Sequence, residues 1–207
     1  MCRMGASAGN HKLLVANPAR LREVAGIVLI AAGLVFAGYG VFIPARAALV
    51  QVLFERAWAA APRDGPAPRP WPWADSRPVA RISLPKHEIS LIVLAGKQGA
   101  ALPFGPSHVA GTSLPGEPGH SVVAAGSRSR LAFLRSLRIG ERIEIERSGG
   151  SKANYVVVEK DVLDVRKTKI ALEPSADILT LVTCYPFSDW NPRGPLRYVV
   201  TAVADPA

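Results

Sequence analysis

Cys184 and Arg197 are the two residues of this sequence whose types and spacing best suit covalent chemistry. Cys184 ends the apolar run LTLVT, and the twelve-residue segment YPFSDWNPRGPL separates it from a second apolar run, RYVVTAVA. If the two runs pair as a hairpin, the thiol and the guanidinium face each other at the mouth of the connection. A guanidinium favours thiolate over thiol and can stabilise an oxyanion, so the pair could support nucleophilic catalysis.

The period of two along a strand predicts which side chains share a face with the thiol. Cys184 aligns with Thr180 and Val182, and Arg197 aligns with Val199. The alternative from spacing alone is that Cys184 is a small buried apolar residue and Arg197 an exposed strand residue. The residues by themselves leave both interpretations open.

The only other cysteine, Cys2, lies on the far side of a long apolar run from Cys184. If that run crosses a membrane, the two thiols are in different compartments and cannot form a disulfide. No Cys or His pair has the close spacing of zinc ligands. We therefore expect Cys184 to be a free thiol, with no metal site and no cofactor.

An uncharged run of 20 residues, VAGIVLIAAGLVFAGYGVFI, extends from Val24 to Ile43. As a helix it is about 30 Å long, which matches the hydrocarbon core of a bilayer. It exceeds the apolar segment of a usual signal peptide, and no small-residue cleavage site follows it. We therefore expect a tail at residues 1–23 and a single transmembrane helix at residues 24–43.

Basic residues flank the apolar run on both sides. Those before it are Arg3, Lys12, Arg20 and Arg22, and those that follow it most closely are Arg46 and Arg56. The excess before the run favours a cytoplasmic N-terminus, so that the rest of the chain faces outward.

Residues 44–78 are expected to form a membrane-proximal helix, ending near Ala60, and then a spacer. The spacer, APRDGPAPRPWPWADSRP, is rich in proline, which removes backbone donors and disfavours helix in the preceding residue. Trp71 and Trp73 could lie at the membrane interface or pack against the outside of the following domain. Residues 79–207 remain for one globular domain.

Short runs rich in Val, Ile and Leu, broken by Gly and Pro, fill the chain from residue 79 onward. The eight runs are Val79–Leu84, Ile89–Leu94, Ser121–Ala125, Arg142–Arg147, Ala153–Val158, Val162–Val165, Ile178–Thr183 and Arg197–Ala204. Such runs predict strands, and residues 130–137 predict a helical turn. The pattern therefore predicts a mostly β domain, a barrel or sandwich of about eight strands with short helices.

The formal net charge of +9 does not identify a partner. Several arginines cluster in one region: Arg128, Arg130, Arg135, Arg138, Arg142 and Arg147. A solvated face is the simplest interpretation, and an anionic surface or an acidic protein is the alternative. Because basic and aromatic residues do not alternate regularly there, we expect no nucleic-acid partner.

The string TLVTCYPF followed by GPLRYVV resembles the catalytic hairpin of the sortase family. The segments FGPSHVAGTSLPGEPGHSVVAAGSRSRLAFLRSL and PWPWADSRPVARI resemble the class of sortase found in Gram-negative bacteria. The resemblance covers most of residues 71–205. It implies a closed sortase-like β-barrel preceded by one transmembrane anchor.

The resemblance also implies a reaction and a place. Carried over by position, Cys184 is the nucleophile and Arg197 the electrostatic helper in cleaving a C-terminal sorting signal of a secreted protein. A thioester forms and an amine or water resolves it, without metal or cofactor. The implied location is the inner membrane, with a single span and the catalytic domain in the periplasm. The alternative is an inactive sortase-like module that binds a peptide or partner at the membrane.

The sequence departs from the family at its catalytic histidine, which lies in a segment resembling AGHRDT. Here residues 124–129 read AAGSRS. A gap-free alignment puts Gly126 at the histidine position, whereas matching Ala-Gly-x-Arg puts Ser127 there. Neither can shuttle a proton near neutral pH, and a positioned acid or base typically supplies about 10²–10⁴ in rate. Activity is therefore expected to be impaired.

His120 and His108 are the alternative bases on the outward side of the expected membrane span. His120 lies about 20 Å from Ser127 if the chain between them is extended. His108 lies in a Gly/Pro-rich loop. For both, a histidine without a catalytic role is the more common situation.

Overall fold

The computed structural model describes residues 18–62, 65–96, 105–125, 130–168, 170–187 and 194–205. The chain divides into two compact units, residues 1–46 and 47–207. Its elements are helix α1 (Pro18–Ala59) and strands β1 (Ser76–Leu84), β2 (Ile89–Gly96), β3 (Ser107–His108), β4 (His120–Ala125), β5 (Arg142–Arg147), β6 (Lys152–Asp164), β7 (Ile178–Cys184) and β8 (Leu196–Ala204). Short 3-10 helices lie at Pro85–His87 and Arg130–Arg135.

Helix α1 begins at a proline, which suits the first turn because the missing N–H would have no helical partner there. It ends at Ala59, just before the proline-rich stretch. Among the residues that the structure describes, no helix is long and apolar enough to cross a membrane.

The eight strands close into a barrel in the order β1-β2-β3-β4-β7-β8-β6-β5. The β2–β3 and β4–β7 pairs are parallel, and the other neighbouring pairs are antiparallel. The mostly β fold expected from the sequence, a closed barrel of about eight strands, is confirmed.

Two details of the expected strands are wrong. The runs Ala153–Val158 and Val162–Val165 are not separate strands, because β6 pairs with β8 from Tyr155 to Asp164 with only a register shift near Val157. Polar residues interrupt the apolar pattern there without interrupting the backbone ladder. Strand β3 was not expected, since its two residues form no apolar run and are defined by backbone pairing to β2 and β4.

The interior of the barrel is one cluster of buried apolar side chains from most of the strands. Its fully buried members include Ile82, Val93, Val123, Leu181 and Val200. They alternate along each strand with residues of the outer face, as the period of two requires. This core fixes which face each strand turns outward.

The end of α1 packs on the outer face of β2, within the unit of residues 47–207. Phe54 is buried with Ile92 and Leu94, and its ring lies 5.7 Å from that of Trp71. Trp73, in contrast, is 80% exposed. Of the two tryptophans of the spacer, Trp71 therefore packs against the domain and Trp73 does not.

Replacement of Leu181 by alanine tests the core assignment. Leu181 is fully buried, so Leu181→Ala should lower the free energy of unfolding by about 2–5 kcal/mol. Leu172→Ala is the matched control, because Leu172 is 47% exposed, and should change it by less than about 0.5 kcal/mol. Urea unfolding of residues 47–207 measures both, and equal losses would contradict the assignment.

Candidate active site

Strands β7 and β8 form the hairpin expected from the sequence. Their antiparallel register pairs Cys184 with Arg197, and the Tyr185 N–H donates to the Leu196 carbonyl at 3.0 Å to close the pairing. The apolar residues of β7 and β8 hold this register because they fill the core. The thiol and the guanidinium therefore occupy opposing positions at one end of the hairpin.

Cys184 lies on the outer face of the barrel, at the end of an apolar surface. The period of two puts Val182 on the same face, and the pairing adds Val122 from β4 and Val199 from β8. These three valines are buried together in a cluster separate from the barrel interior. We call the outer surface formed by Val122, Val182, Val199 and Cys184 the Cys184 face.

Three partly buried side chains pack around the valines of the Cys184 face. Val109 follows β3, Leu163 belongs to β6, and Ile170 comes from the β6–β7 loop, residues 165–177. Sequence reasoning missed all three, because their place depends on pairing between distant strands. Of the valines, Val182 and Val199 could be found from the sequence, by their spacing from Cys184 and Arg197. The result is an apolar surface that leads to a thiol.

The Arg197 side chain is half-buried and held by the backbone at the mouth of the hairpin. Its Nη1 donates to the carbonyls of Gly194 at 2.7 Å and Leu196 at 2.8 Å. Within the described part of the chain, its other guanidinium nitrogens have no hydrogen-bond partner. The backbone position of Arg197 is thus opposite Cys184, and part of its guanidinium is left to donate to an oxyanion.

An aromatic cluster supports the same end of the hairpin. Tyr198 pairs with Thr183 in the ladder, and its ring lies 6.4 Å from Tyr185 and 5.2 Å from Phe187. Because Tyr198 follows Arg197, its side chain leaves the strand on the opposite face. The rings therefore brace the connection without covering the thiol.

Cys184 carries a free, half-buried thiol, and no described side chain hydrogen-bonds to it. The described histidines are bonded elsewhere. His87 Nε2 is 2.7 Å from a carboxylate oxygen of the buried Glu141. His108 Nε2 lies 3.0 Å from the carbonyl oxygen of Ser113.

His120 was considered as an alternative base, but it lies at the far end of β4 from the thiol. It pairs with Ile178, six residues before Cys184, or about 20 Å along an extended strand. Its imidazole is buried and contacts Thr180. His108 pairs with Val123, opposite Leu181 and three residues short of the thiol position. The register therefore brings neither histidine beside the thiol.

Gly126 and Ser127, the two positions assigned to the family's histidine, lie outside the described residues. The last residue of β4, Ala125, pairs in parallel with Thr183. The chain therefore leaves β4 beside the residue that precedes Cys184.

The pKa values of one imidazole and one carboxylate of the barrel are shifted. Burial lowers the pKa of His120, although the nearby Glu173 carboxylate opposes this. Burial would raise the pKa of Glu141, but the Arg138 N–H and His87 outweigh it, and the pKa is lowered. Near neutral pH, His120 is therefore neutral and Glu141 ionised.

A family model for the sortase domain matches residues 82–205, which is more than half of the chain. This chain belongs to the sortase family. Sortase family members are cysteine transpeptidases, and the family's fold agrees with the closed eight-stranded barrel.

Individual sortases extend the comparison. Sortase D of Bacillus subtilis is 28% identical over 201 residues, covering 87% of this chain and 97% of that protein. The structure of sortase C-1 from Actinomyces oris is 29% identical, with a TM-score of 0.51, over 63% of this chain and 76% of that one. The structure of sortase A from Corynebacterium diphtheriae is 22% identical, with a TM-score of 0.56, over 78% of this chain and 85% of that one. At this identity the likeness supports the fold alone.

The charge of Arg197 should favour attack by Cys184 on anionic disulfide reagents. With Cys2 replaced by serine, Arg197→Gln should lower the rate with dianionic dithionitrobenzoate, relative to neutral dithiodipyridine, by about threefold to tenfold. The effect should shrink in 1 M salt. Stopped-flow absorbance measures the rates.

Arg135→Gln is the control for that comparison, because Arg135 is exposed and lies outside the hairpin. Arg135→Gln should leave unchanged the ratio of the rate with the dianionic reagent to the rate with the neutral one. If this rate ratio is the same in Arg197→Gln as in the parent protein, the guanidinium does not act on the thiol.

Proposed function

We propose that this chain is a membrane-anchored sortase of the Gram-negative class that cleaves a C-terminal sorting signal of a secreted protein. The observation that carries the proposal is the cross-strand pair of Cys184 and Arg197 at the end of the apolar Cys184 face. An extended peptide with apolar side chains could bury them on this face while presenting a backbone carbonyl to the thiol.

The proposed reaction needs four events. The Cys184 sulfur attacks the carbonyl carbon, and the free donors of Arg197 stabilise the oxyanion. The carbon–nitrogen bond then breaks, leaving a thioester on Cys184 and an amine that takes up a proton. An amine or water finally attacks the thioester, loses a proton and frees the thiol. These steps require no metal or cofactor.

Proton transfer is the step that this chain supports least. The leaving amine needs a donor, and the three described histidines are occupied by Glu141, by loop carbonyls or by Thr180. We therefore expect turnover to be slow. If solvent or the substrate supplies the proton, cleavage continues at a rate lower by about 10²–10⁴ than with a positioned base.

The same observation favours a second candidate function, a sortase-shaped module that binds a signal peptide or a partner at the membrane without turnover. Binding needs the Cys184 face but no proton donor. Failure to bind any C-terminal signal segment would exclude this candidate.

The anchor and the location are proposed from the sequence. As a stretch of sequence, the run at residues 24–43 carries no charge over 20 residues, and basic residues precede it. The Gram-negative class rests on the segments at residues 70–82 and 104–137. Together they favour an inner-membrane protein with its barrel in the periplasm.

Restoring a histidine tests whether the missing base limits turnover. Gly126→His or Ser127→His should raise hydroxylamine-dependent peptide cleavage by about 10²–10⁴. The substrates are peptides copied from the C-termini of secreted proteins of the source organism, and mass spectrometry detects the hydroxamate product and the thioester.

The control for the cleavage assay is Cys184→Ala, which should abolish cleavage in every background. Peptide binding to the parent protein without hydroxamate or thioester would favour the non-catalytic module. Cleavage that survives Cys184→Ala would rule out the proposed nucleophile.

Thiol labelling in cells tests the proposed orientation. A membrane-impermeant maleimide should label Cys184 once the outer membrane is permeabilised, whereas Cys2 should react only after lysis. Gel shifts of the single variants Cys2→Ser and Cys184→Ser distinguish the two sites. Labelling of Cys2 before lysis would reverse the proposed orientation.

A further inference from the structure

His120 makes two buried hydrogen bonds that the proposed reaction does not use. It is the first residue of β4, and its side chain lies on the same face of the sheet as Thr180 and, further along β7, Cys184. Its Nε2 is 2.8 Å from Thr180 Oγ1, and its Nδ1 accepts the backbone N–H of Glu173 at 3.1 Å.

The Glu173 contact determines the tautomer of His120. A backbone N–H can only donate, so Nδ1 must present a lone pair. In the neutral imidazole, Nε2 therefore carries the proton and donates it to Thr180 Oγ1. Protonation of Nδ1 would place two donors against each other and break the bond to Glu173.

Glu173 belongs to the β6–β7 loop, whose Ile170 packs against the Cys184 face. The start of the loop is held by Asp164, whose carboxylate accepts the Arg166 N–H at 3.0 Å. Ile170 packs against the valine cluster. Residues 171–175 are exposed, and among the described residues of that stretch only Glu173 hydrogen-bonds to a barrel strand.

We propose that His120 is a positioning residue that holds the β6–β7 loop over the Cys184 face, and that its protonation releases the loop. The bond to Glu173 lies three residues beyond Ile170, so its loss frees the segment that keeps Ile170 against the valine cluster of the Cys184 face. The consequence for peptide binding rests on the function proposed above. The effect on the loop does not.

The surroundings of His120 set the pH at which release occurs. Burial lowers its pKa below 6.5, and Glu173, the charged group that opposes this, lies on the loop itself. The nearby Asp177 carboxylate instead accepts the Gly119 N–H, and Thr180 on β7 is uncharged. The neutral, bonded form is therefore complete above pH 6.5 and is lost as the pH falls through the lower folded-state value.

Two substitutions separate the hydrogen bond from the volume of the side chain. His120→Asn keeps an acceptor close to the position of Nδ1 but cannot titrate. His120→Leu has no acceptor. His87→Asn is the matched control, because it removes a histidine that contacts Glu141 and not the loop.

Amide hydrogen exchange of the detergent-solubilised full chain tests the bond. His120→Leu should lower the protection factor of the Glu173 amide by about tenfold, whereas His120→Asn and His87→Asn should preserve it. In the parent protein, protection should fall below pH 6.5, and in His120→Asn it should not. Methyl NMR should show that the contact between Ile170 and the valine cluster is lost under the same conditions as the protection.

The experiments distinguish failure of the loop proposal from failure of the proposed transpeptidase function. The proposal would be overturned if His120→Leu changed neither the protection of the Glu173 amide nor the Ile170 contact. It would also be overturned if His120→Asn lost as much of this protection as His120→Leu. If His120→Leu does not fold, a pH-independent Glu173 amide in the parent protein overturns it. For a cleaved peptide, His120→Leu should raise KM several-fold with little change in kcat. Loop release without any peptide cleavage would support this inference while counting against the transpeptidase.

Discussion

The pairing register of β7 with β8 is the constraint on which the candidate active site depends. It sets Cys184 opposite Arg197 and puts both on the outer face. A slip of one residue would turn one partner toward the interior, because side chains alternate between faces. The register is held from the inside, where Leu181 and Val200 pair within the buried core. Packing energy in the barrel therefore determines the geometry of the site.

Strand β7 is buried on both faces, and this explains why Thr180 and His120 are hydrogen-bonded to each other. The barrel core covers the inner face of β7, and Val109, Leu163 and Ile170 pack on its outer face. A polar side chain on such a surface needs a partner. His120 and Thr180 satisfy one another there, and the second nitrogen of His120 is left to bind the β6–β7 loop.

Nucleophilic catalysis normally combines a nucleophile, oxyanion donors and a proton donor. In this barrel the first two and the third depend on different strands. In the proposed reaction, Cys184 and Arg197 supply a nucleophile and oxyanion donors, and both positions depend only on the hairpin. A proton donor has to come from another strand, and the described histidines are bonded in other places. In the proposed function, peptide binding and cleavage therefore depend on different parts of the barrel.

The sequence by itself determined most of the strands and the hairpin of Cys184 and Arg197, because these depend on alternation and on turn residues close in the chain. Tertiary structure decided the rest. The two residues of β3 and the continuous β6 are defined by backbone pairing, which side-chain patterns do not report. His120 and Thr180 lie 60 residues apart, and only the parallel register of β4 and β7 brings them into contact. Local patterns carry no information on such registers, which are set by the packing of the closed barrel.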